Sequence, residues 1–316
     1  MSDEKDPRWG VAKRFEFIEW RAYWMGRVNR KDLEDQFQIS TPQASLDFKG
    51  YLDAAPGNIK YDPTDKTYVV LDPFTPTFWA PFSAERFLRQ LQAVKAGVVE
   101  LRDTWFDALP PADVVPPLAR APRPDVLRSV LQAIKSRQAL SIDYLSLKRQ
   151  AVRTICPHAL AHDGYRWHAR ALDVEKREYR DYVLGRILSA SKRREICKVD
   201  PSNDVVWETR IKLRLVPHPK LGPEQKAAME HDFLMQKGVL EIETSAALAW
   251  YFIRRHDLDL KDHPDLPPER LQLRLENLDD VTAEIDRAKE HSESKLSEFA
   301  KLVADEPVHA EQPDST

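Results

Sequence analysis

The run of sequence from Arg27 to Val70 constrains the fold most, because two helical patterns and two strand patterns follow one another there with only short turns between them. In the first helical pattern, which spans Arg30 to Phe37, Leu33 lies four residues before Phe37, so the two side chains share one face. A polar turn follows, and the second pattern begins near Ser40. This order predicts a helix, a tight turn and a second helix.

The second helix has a clear N-terminal signal. Ser40 and Gln43 have the spacing of a capping box, in which Ser40 accepts hydrogen bonds from early backbone amides and Gln43 reaches back to the cap. Pro42 lies in the first turn, where its missing N–H costs nothing. The predicted buried stripe consists of apolar residues at helical spacing, namely Ala44, Phe48 and Leu52 with Tyr51 beside them. Short polar and basic side chains, of the types that contact base edges and phosphates, are left facing outward at Thr41, Gln43, Ser45 and Lys49.

A hairpin is predicted directly after the second helix, since residues 58–61 and 67–70 have strand patterns and flank a polar tip at 62–66. Together with a helix at 9–24 that precedes them, these elements form a winged helix. In this fold the second helix of the helix-turn-helix, here the one that begins near Ser40, occupies the DNA major groove. The predicted DNA-binding residues are Arg30, Lys31, Ser40, Thr41, Gln43, Ser45, Lys49, Lys60 and Lys66. A three-helix protein-interaction module is the alternative, and charge does not decide between the two, since basic and acidic residues balance between Met1 and Lys60.

Proline-rich segments divide the rest of the chain. Residues 83–107 have the pattern of a connecting helix, and short alternating strands between 140 and 187 predict a small barrel or strongly bent sheet. Beyond residue 205, the patterns predict strands at 206–215 and 239–244 and helices at 222–231, 246–255 and 264–302. The predicted domains are a winged helix-turn-helix domain at 1–80, a helical and proline-rich linker at 81–121, a middle domain at 122–198, a C-terminal α+β domain at 199–304 and a disordered tail at 305–316.

The middle domain is basic, although the whole chain has a formal net charge of −3. From Arg120 to Glu195 the sequence contains 17 Lys and Arg against 8 Asp and Glu, an excess of nine. Several of these charges fall in or beside predicted strands, where alternation can bring them to one face. A domain of this composition is expected to bind an anion. For any single arginine, an ordinary salt bridge on a solvated face is the alternative.

Other features limit the class of protein. No stretch approaches a membrane span, and the charged N-terminus lacks the apolar core of a signal peptide, which predicts a cytoplasmic protein. The two cysteines, Cys156 and Cys197, allow at most one disulfide, and Cys156 is predicted to be buried and inert in a strand. None of the nine glycines belongs to a phosphate-loop or dinucleotide-binding motif. We therefore expect no catalysis, no catalytic residues, no cofactor and no metal.

The middle domain resembles a WYL domain in the stretch RTICPHALAHDGYRWHARALDVEKREYRDYVLGRI. Arg153, Pro157, Gly164, Trp167 and the pair Arg186-Ile187 match that pattern, although Trp167-His168-Ala169 stands in place of Trp-Tyr-Leu. The order of winged helix, WYL domain and C-terminal extension is similar to the BrxR/CapW group of transcriptional regulators found beside phage-defence genes. The stretches RVNRKDL and ISTPQASLD are similar too, and the resemblance extends from about Trp9 to about Arg255.

The resemblance implies an α+β multidomain protein with an N-terminal winged helix-turn-helix, a central WYL domain built as an Sm-like small β-barrel, and a C-terminal α+β dimerisation domain (WCX-like). It also implies a homodimeric repressor of a phage-defence operon that binds double-stranded DNA at an inverted repeat and is regulated by a nucleotide or oligonucleotide. The implied ligand-binding residues are Tyr144, Ser146, Arg153, His158, Trp167, His168, Arg170 and Arg186. Tyr144 and Trp167 are equally consistent with the barrel core, and Trp167 is expected there. The alternative function is a nucleic-acid-sensing adaptor whose basic barrel binds single strands and whose winged helix contacts protein.

Overall fold

The computed structural model describes residues 7–79, 83–116, 118, 120–260 and 266–305. The chain divides into two compact units, Met1–Leu118 and Ala119–Thr316, each with its own apolar cores. Among the described residues, no helix combines the length and the apolar character that a membrane span requires.

The first unit contains a three-helix bundle and a small antiparallel sheet. Its elements are α1 (Pro7–Met25), β1 (Arg27–Val28), α2 (Arg30–Phe37), α3 (Thr41–Ala54), β2 (Ile59–Asp62), β3 (Thr67–Val70) and α4 (Ala84–Lys95). The strand order is β1-β3-β2, so β2 and β3 form the predicted hairpin and β1 adds a strand that the sequence patterns did not predict. This arrangement of helices and hairpin is the winged helix.

The predicted helix at 83–107 is wrong in its length. The helix α4 stops at Lys95, where Gly97 takes a positive φ of 68° that ends the helical path. Only a short 3-10 turn follows at Leu101–Asp103. The aromatic residues beyond it turn back onto α1, where Phe106 contacts Trp20 at a ring distance of 5.1 Å.

A buried carboxylate fixes the segment that follows the wing. Glu19 of α1 has no solvent exposure, and its two oxygens accept the backbone N–H groups of Thr77, Phe78 and Trp79, each at 2.8 Å. The hydroxyl of Tyr51 from α3 donates to the same carboxylate at 3.2 Å. Glu19 thereby ties α1, α3 and the segment after β3 together, and these contacts hold α3 in place on the bundle.

The second unit begins with a helix and a bent five-stranded sheet. These elements are α5 (Pro124–Ser136), β4 (Gln138–Leu145), β5 (Gln150–His162), β6 (Trp167–Asp173), β7 (Glu178–Val183) and β8 (Ile187–Ile196). The sheet is antiparallel with the order β7-β6-β5-β4-β8, and shifts of register at Asp143/Tyr144 and Pro157/Ala159 bend it. The apolar face of α5 covers the sheet through Val126, Val130 and Ala133. The bent sheet and its helix form the WYL domain.

The C-terminal part of the second unit is a three-stranded antiparallel sheet covered by helices. Its elements are α6 (Val205–Glu208), β9 (Arg210–Pro217), α7 (Pro223–Asp232), β10 (Leu240–Ser245), α8 (Ala246–Arg255), α9 (Pro268–Leu271), β11 (Leu273–Leu275) and α10 (Leu278–Asp305). The strand order is β10-β9-β11, and residues of α6, α8 and α10 pack against its apolar face.

Two predictions for this part were wrong. The predicted strand at 206–215 starts only at Arg210, because the buried Asp204 caps the short helix α6 in front of it. The predicted single helix at 264–302 is interrupted, since Leu273 and Leu275 pair with β9 as a strand. The predicted disordered tail lies, apart from Asp305, outside the described residues.

Candidate nucleic-acid interface and anion recess

The second helix of the helix-turn-helix, α3, turns one face to the core and the other outward. Ala44, Phe48 and Tyr51 have no exposed surface. Among the predicted DNA-binding residues on the other side, Thr41 and Lys49 are exposed, whereas Gln43 and Ser45 are half-buried. The hairpin is fixed against the same helix, because the ring of Tyr68 on β3 stacks on Phe48 at 4.1 Å. Helix and wing therefore form one connected surface.

Ser40 and Gln43 form only half of the predicted capping box. The Ser40 hydroxyl accepts the Gln43 backbone N–H at 3.4 Å, but the Gln43 side chain donates to Asp47 at 3.1 Å instead of reaching back to the cap. Asp47 is buried and is held by two hydrogen bonds from Arg14, at 2.6 and 3.0 Å. In a capping box the Gln43 side-chain carbonyl would accept the backbone N–H of Ser40. Here the Gln43 side chain is instead turned toward Asp47, because a hydrogen bond to a charged carboxylate is stronger than one between neutral groups.

Ser45 is also engaged within the protein. Its hydroxyl donates to the Thr41 carbonyl at 2.9 Å and accepts from the Arg30 guanidinium at 3.4 Å. The contact places Arg30 of α2 directly beside the outer side of α3. Lys31 is exposed on α2, and Lys60 and Lys66 are exposed on the hairpin. The predicted basic residues thus lie on all three elements that a winged helix uses against DNA.

The structure adds one side chain that the sequence patterns did not single out. Leu46 lies on the outward side of α3 and is 64% exposed, although it is apolar. The signal was present in the sequence, because Leu46 is out of phase with the stripe formed by Ala44, Phe48 and Leu52. An apolar residue in that position of an amphipathic helix faces away from the core.

In the second unit, four of the predicted ligand-binding residues line one recess of the WYL domain, with a volume of about 640 Å³. These four are Tyr144, Ser146, Arg153 and Arg186. Further basic residues that were not predicted line it as well, namely Lys148, Arg149, Lys176 and Arg180. The Ser146 hydroxyl donates to the Arg149 carbonyl and accepts two backbone N–H groups, so it shapes the turn that presents Lys148 and Arg149.

The charge of the recess is strongly positive. Six basic side chains face a single acid, Asp173, whose buried carboxylate accepts the Tyr182 hydroxyl at 2.6 Å and the Lys176 backbone N–H at 3.0 Å. Burial raises the pKa of Asp173, but these hydrogen bonds outweigh it and hold that pKa below its ordinary value. Lys176 and Arg180 pair with Glu178 beside the recess, and the charge of Arg153 acts on Asp173. Within the described part of the chain, neither Arg153 nor Arg186 has a carboxylate oxygen within ion-pair distance. Their guanidinium groups remain available to an anion.

The other four predicted ligand residues are not brought to this recess. His158 and Arg170 both contact the buried Asp204: Arg170 by two hydrogen bonds, at 2.7 and 3.0 Å, and His158 by one at 3.0 Å. Arg170 also contacts Asp181 at 3.4 Å. We refer to His158, Arg170, Asp181 and Asp204 as the buried network. It joins the WYL sheet to the cap of α6 and so links the two parts of the second unit.

His168 and Trp167 lie near the turn between β5 and β6. His168 is buried and contacts Asp163 at 2.9 Å. Burial raises the pKa of Asp163, but the hydrogen bonds from His168 and from the backbone N–H groups of Tyr165 and Arg166 outweigh it and hold that pKa well below its ordinary value. Trp167 is 50% exposed, so the expectation that it belongs to the core is wrong. Its ring packs at 4.8 Å on His162, which lies directly opposite it across the hairpin.

Cys156 lies on a strand, β5, as predicted, but it is half-buried rather than buried. It forms a disulfide with Cys197, the one pairing that two cysteines allow. The two residues lie on β5 and just after β8, with their Cα atoms 5.8 Å apart. The bond holds the segment that leads from the WYL sheet to Asp204. No cluster of three or more possible metal ligands occurs among the residues that the structure describes.

Three family models match successive parts of the chain. Residues 10–93 match the BrxR transcriptional regulator winged helix-turn-helix domain, residues 125–192 match the WYL domain, and residues 210–281 match the BrxR transcriptional regulator C-terminal dimerization domain. The matches follow the same order as the winged helix, the bent sheet and the C-terminal sheet.

Relatives in three organisms, each described as the DNA-binding transcriptional repressor CapW, align with most of the chain. The protein of Escherichia coli strain KTE188 is 36% identical over 279 residues, covering 87% of this chain and 92% of the relative. That of Pseudomonas aeruginosa is 36% identical over 283 residues and that of Stenotrophomonas maltophilia 34% over 276 residues. Among solved structures, the proteasome accessory factor B/C of Arthrobacter aurescens matches with a TM-score of 0.24 and 15% identity, and this chain spans about half of its length (49%).

Proposed function

The chain belongs to the CapW family of DNA-binding transcriptional repressors, and from this we propose that it is itself a dimeric, ligand-responsive repressor that binds operator DNA. The observation that carries the proposal is the outward side of α3, which stands beside the hairpin with Thr41, Leu46 and Lys49 exposed. A helix held in this way by Glu19 and by the stacked Tyr68 can enter the major groove as a rigid body.

The C-terminal domain forms the dimer in this proposal, since residues 210–281 match the model of a dimerisation domain. A two-fold symmetric dimer requires a two-fold symmetric site, so the operator is an inverted repeat. Its half-sites are about 34 Å apart, or a multiple of that distance, because both copies of α3 must face the same side of the duplex. Arg30, Lys31, Lys60 and Lys66 contact the flanking phosphates.

The regulatory ligand in the proposal is a nucleotide or a short nucleic-acid fragment bound in the recess. The recess volume, about 640 Å³, is within the range of small-molecule sites. Arginines hold phosphate oxygens through two parallel hydrogen bonds, and the half-buried ring of Tyr144 lines the same recess as a surface on which a base can stack. Phosphate and base would thus both find partners in one recess.

The biological role that we propose is repression of a phage-defence operon, because the BrxR/CapW group to which the sequence is similar is found beside such genes. A repressor of this kind acts on chromosomal DNA, so the protein works in the cytoplasm. Release of the operator on binding of a nucleic-acid ligand would connect infection to expression of the operon.

The experiment that tests DNA binding measures the salt dependence of affinity. Operator sequences are first selected from random duplex DNA, and affinity for the selected duplex is measured from 50 to 200 mM salt, a range over which phosphate contacts weaken strongly. Replacing Lys49 by Ala should reduce the slope of log affinity against log salt by about 0.9 for each phosphate that the variant no longer neutralises. Lys95, exposed at the end of α4, is the matched control, and Lys95→Ala should leave the slope unchanged.

Two results would contradict the proposal. If the wild-type protein enriches no duplex from the random pool, it is not a sequence-specific DNA-binding protein. If Lys49→Ala keeps the wild-type slope, Lys49 does not contact a phosphate and α3 is not placed in the groove as proposed.

A further inference from the structure

Leu46 stands at the centre of the outward side of α3. With 3.6 residues per turn, successive residues are about 100° apart around the helix axis, so Leu46 lies about 160° from Ala44 and from Phe48 and about 140° from Tyr51. Those three residues are the ones with no exposed surface, whereas Leu46 is 64% exposed. The direction in which Leu46 points is therefore the direction in which the helix faces outward.

The polar residues beside Leu46 are less free than the sequence suggests. The Gln43 amide donates to Asp47, and the Ser45 hydroxyl is shared between Thr41 and Arg30. These bonds occupy one N–H of the Gln43 amide and the hydroxyl proton of Ser45, so each side chain has fewer groups left with which to contact a base edge. Leu46 has no polar group to satisfy and needs no rearrangement.

From this arrangement we propose that Leu46 determines part of the operator sequence by contacting the C5-methyl group of a thymine in each half-site. The inference rests on the proposed function and specifies the partner of that same surface. The thymine methyl is the apolar group that base pairs display in the major groove, and it is matched by apolar side chains. An isolated leucine between Gln43 and Lys49 suits one methyl group, whereas a protein partner buries a contiguous apolar patch of a few hundred Å².

The test removes the methyl group and nothing else. Deoxyuridine pairs with adenine as thymidine does but lacks the C5-methyl, so each thymine of the selected operator is replaced by uracil in turn, in both half-sites together. For the wild-type protein we expect one position at which uracil substitution lowers the affinity. Loss of one buried methyl group costs about four-fold, so substitution in both half-sites should cost about fifteen-fold. Leu46→Ala should bind the thymine and uracil duplexes equally at that position.

The control variant is Leu88→Ala, because Leu88 is also a leucine exposed on a helix of the first unit, at 58%, and lies on α4 outside the DNA-binding elements. It should keep the wild-type loss on uracil substitution. The inference is overturned if no thymine position weakens wild-type binding, or if Leu46→Ala loses the same factor as the wild type at every position. In either case, the proposed function stands if the wild-type protein still binds its selected operator more tightly than random duplex. If that preference is absent, both the proposed function and this inference are overturned.

Discussion

Replacing Asp204 by Asn tests whether the buried network holds the second unit together. Asp204 has no exposed surface, and its carboxylate accepts two hydrogen bonds from Arg170, one from His158 and one from the backbone N–H of Trp207 at 3.2 Å. Asparagine keeps the size of the side chain and is as good a helix N-cap as aspartate. The substitution therefore removes the negative charge while it keeps the packing and the cap.

The expected cost follows from what remains beside Arg170. In the Asp204→Asn variant the buried guanidinium keeps one carboxylate, that of Asp181, at the longer distance of 3.4 Å. Breaking a buried ion pair by removal of one partner costs about 3–5 kcal/mol, and the retained Asp181 favours the lower end, about 3 kcal/mol. For a unit of this size such a loss lowers the melting temperature by roughly 6–12 °C.

The assay is scanning calorimetry of the full chain at several pH values. Burial raises the pKa of Asp204, but the hydrogen bonds from His158 and Arg170 outweigh it, so the pKa lies below its ordinary value. A carboxylate whose pKa is lowered by folding stabilises the protein above the unfolded pKa, about 4, and this contribution is lost as the pH falls through the folded value. The difference between wild type and Asp204→Asn should therefore be complete at pH 7 and shrink below about pH 4.

The control is Glu276→Gln, which removes the carboxylate of an exposed pair with Arg214 at 2.9 Å. An exposed pair contributes less than about 1 kcal/mol, so this variant should melt close to the wild type. If Asp204→Asn at pH 7 cost no more than Glu276→Gln, or if its cost did not depend on pH, the buried network would not stabilise the unit through charge.

Two further predictions concern the recess and the disulfide. Replacing Arg153 or Arg186 by Gln should weaken binding of a 5′-phosphorylated oligonucleotide at least ten-fold, because each substitution removes a charged hydrogen bond worth about 1.5–3 kcal/mol. The control Arg128→Gln, on the exposed side of α5, should bind as the wild type does. If fluorescence anisotropy showed equal binding by all three variants, the anion would bind elsewhere. Reducing the disulfide between Cys156 and Cys197, which are 41 residues apart, should lower the free energy of unfolding by about 4 kcal/mol in urea titrations, and a Cys156→Ser variant should show no effect of the reductant. An unchanged wild-type midpoint in reductant would show that the bond does not constrain the unfolded chain.

The sequence predicted the winged helix well because its signals are local. The spacing of Leu33 and Phe37 and the serine cap at Ser40 act within one or two helical turns, and the structure confirms the bounds of α2 and the start of α3. The hairpin could be predicted for the same reason, since its two strands and its turn are adjacent in the chain. Local patterns are the ones that a single sequence reports directly.

Contacts between distant residues could not be predicted. His158 and Arg170 were expected to bind a ligand because the resemblance to the WYL domain implied it, and their side chains have suitable chemistry. Their partner, Asp204, is 46 and 34 residues away, and nothing near it in the sequence indicates the pairing. The same limit explains Cys156, whose partner follows 41 residues later. A side chain that can bind an anion can equally bind a carboxylate of its own chain, and only the fold decides which.

The positions of the recess and the buried network suggest how a ligand could act on the C-terminal domain. The strands β5, β6 and β7 carry both sets of residues: Arg180 lines the recess, and the next residue on β7, Asp181, contacts Arg170 and accepts the Tyr251 hydroxyl of α8 at 3.0 Å. Successive residues of a strand point to opposite faces, which places Arg180 at the recess and Asp181 at the buried network. An anion acts on the network through this route only if it shifts the backbone that the two residues share. A ligand changes a conformational equilibrium only by the difference in its affinity for the two states. If binding in the recess favours a different position of β7, then Asp204→Asn, which loosens the far side of that strand, must also change the affinity for the anion.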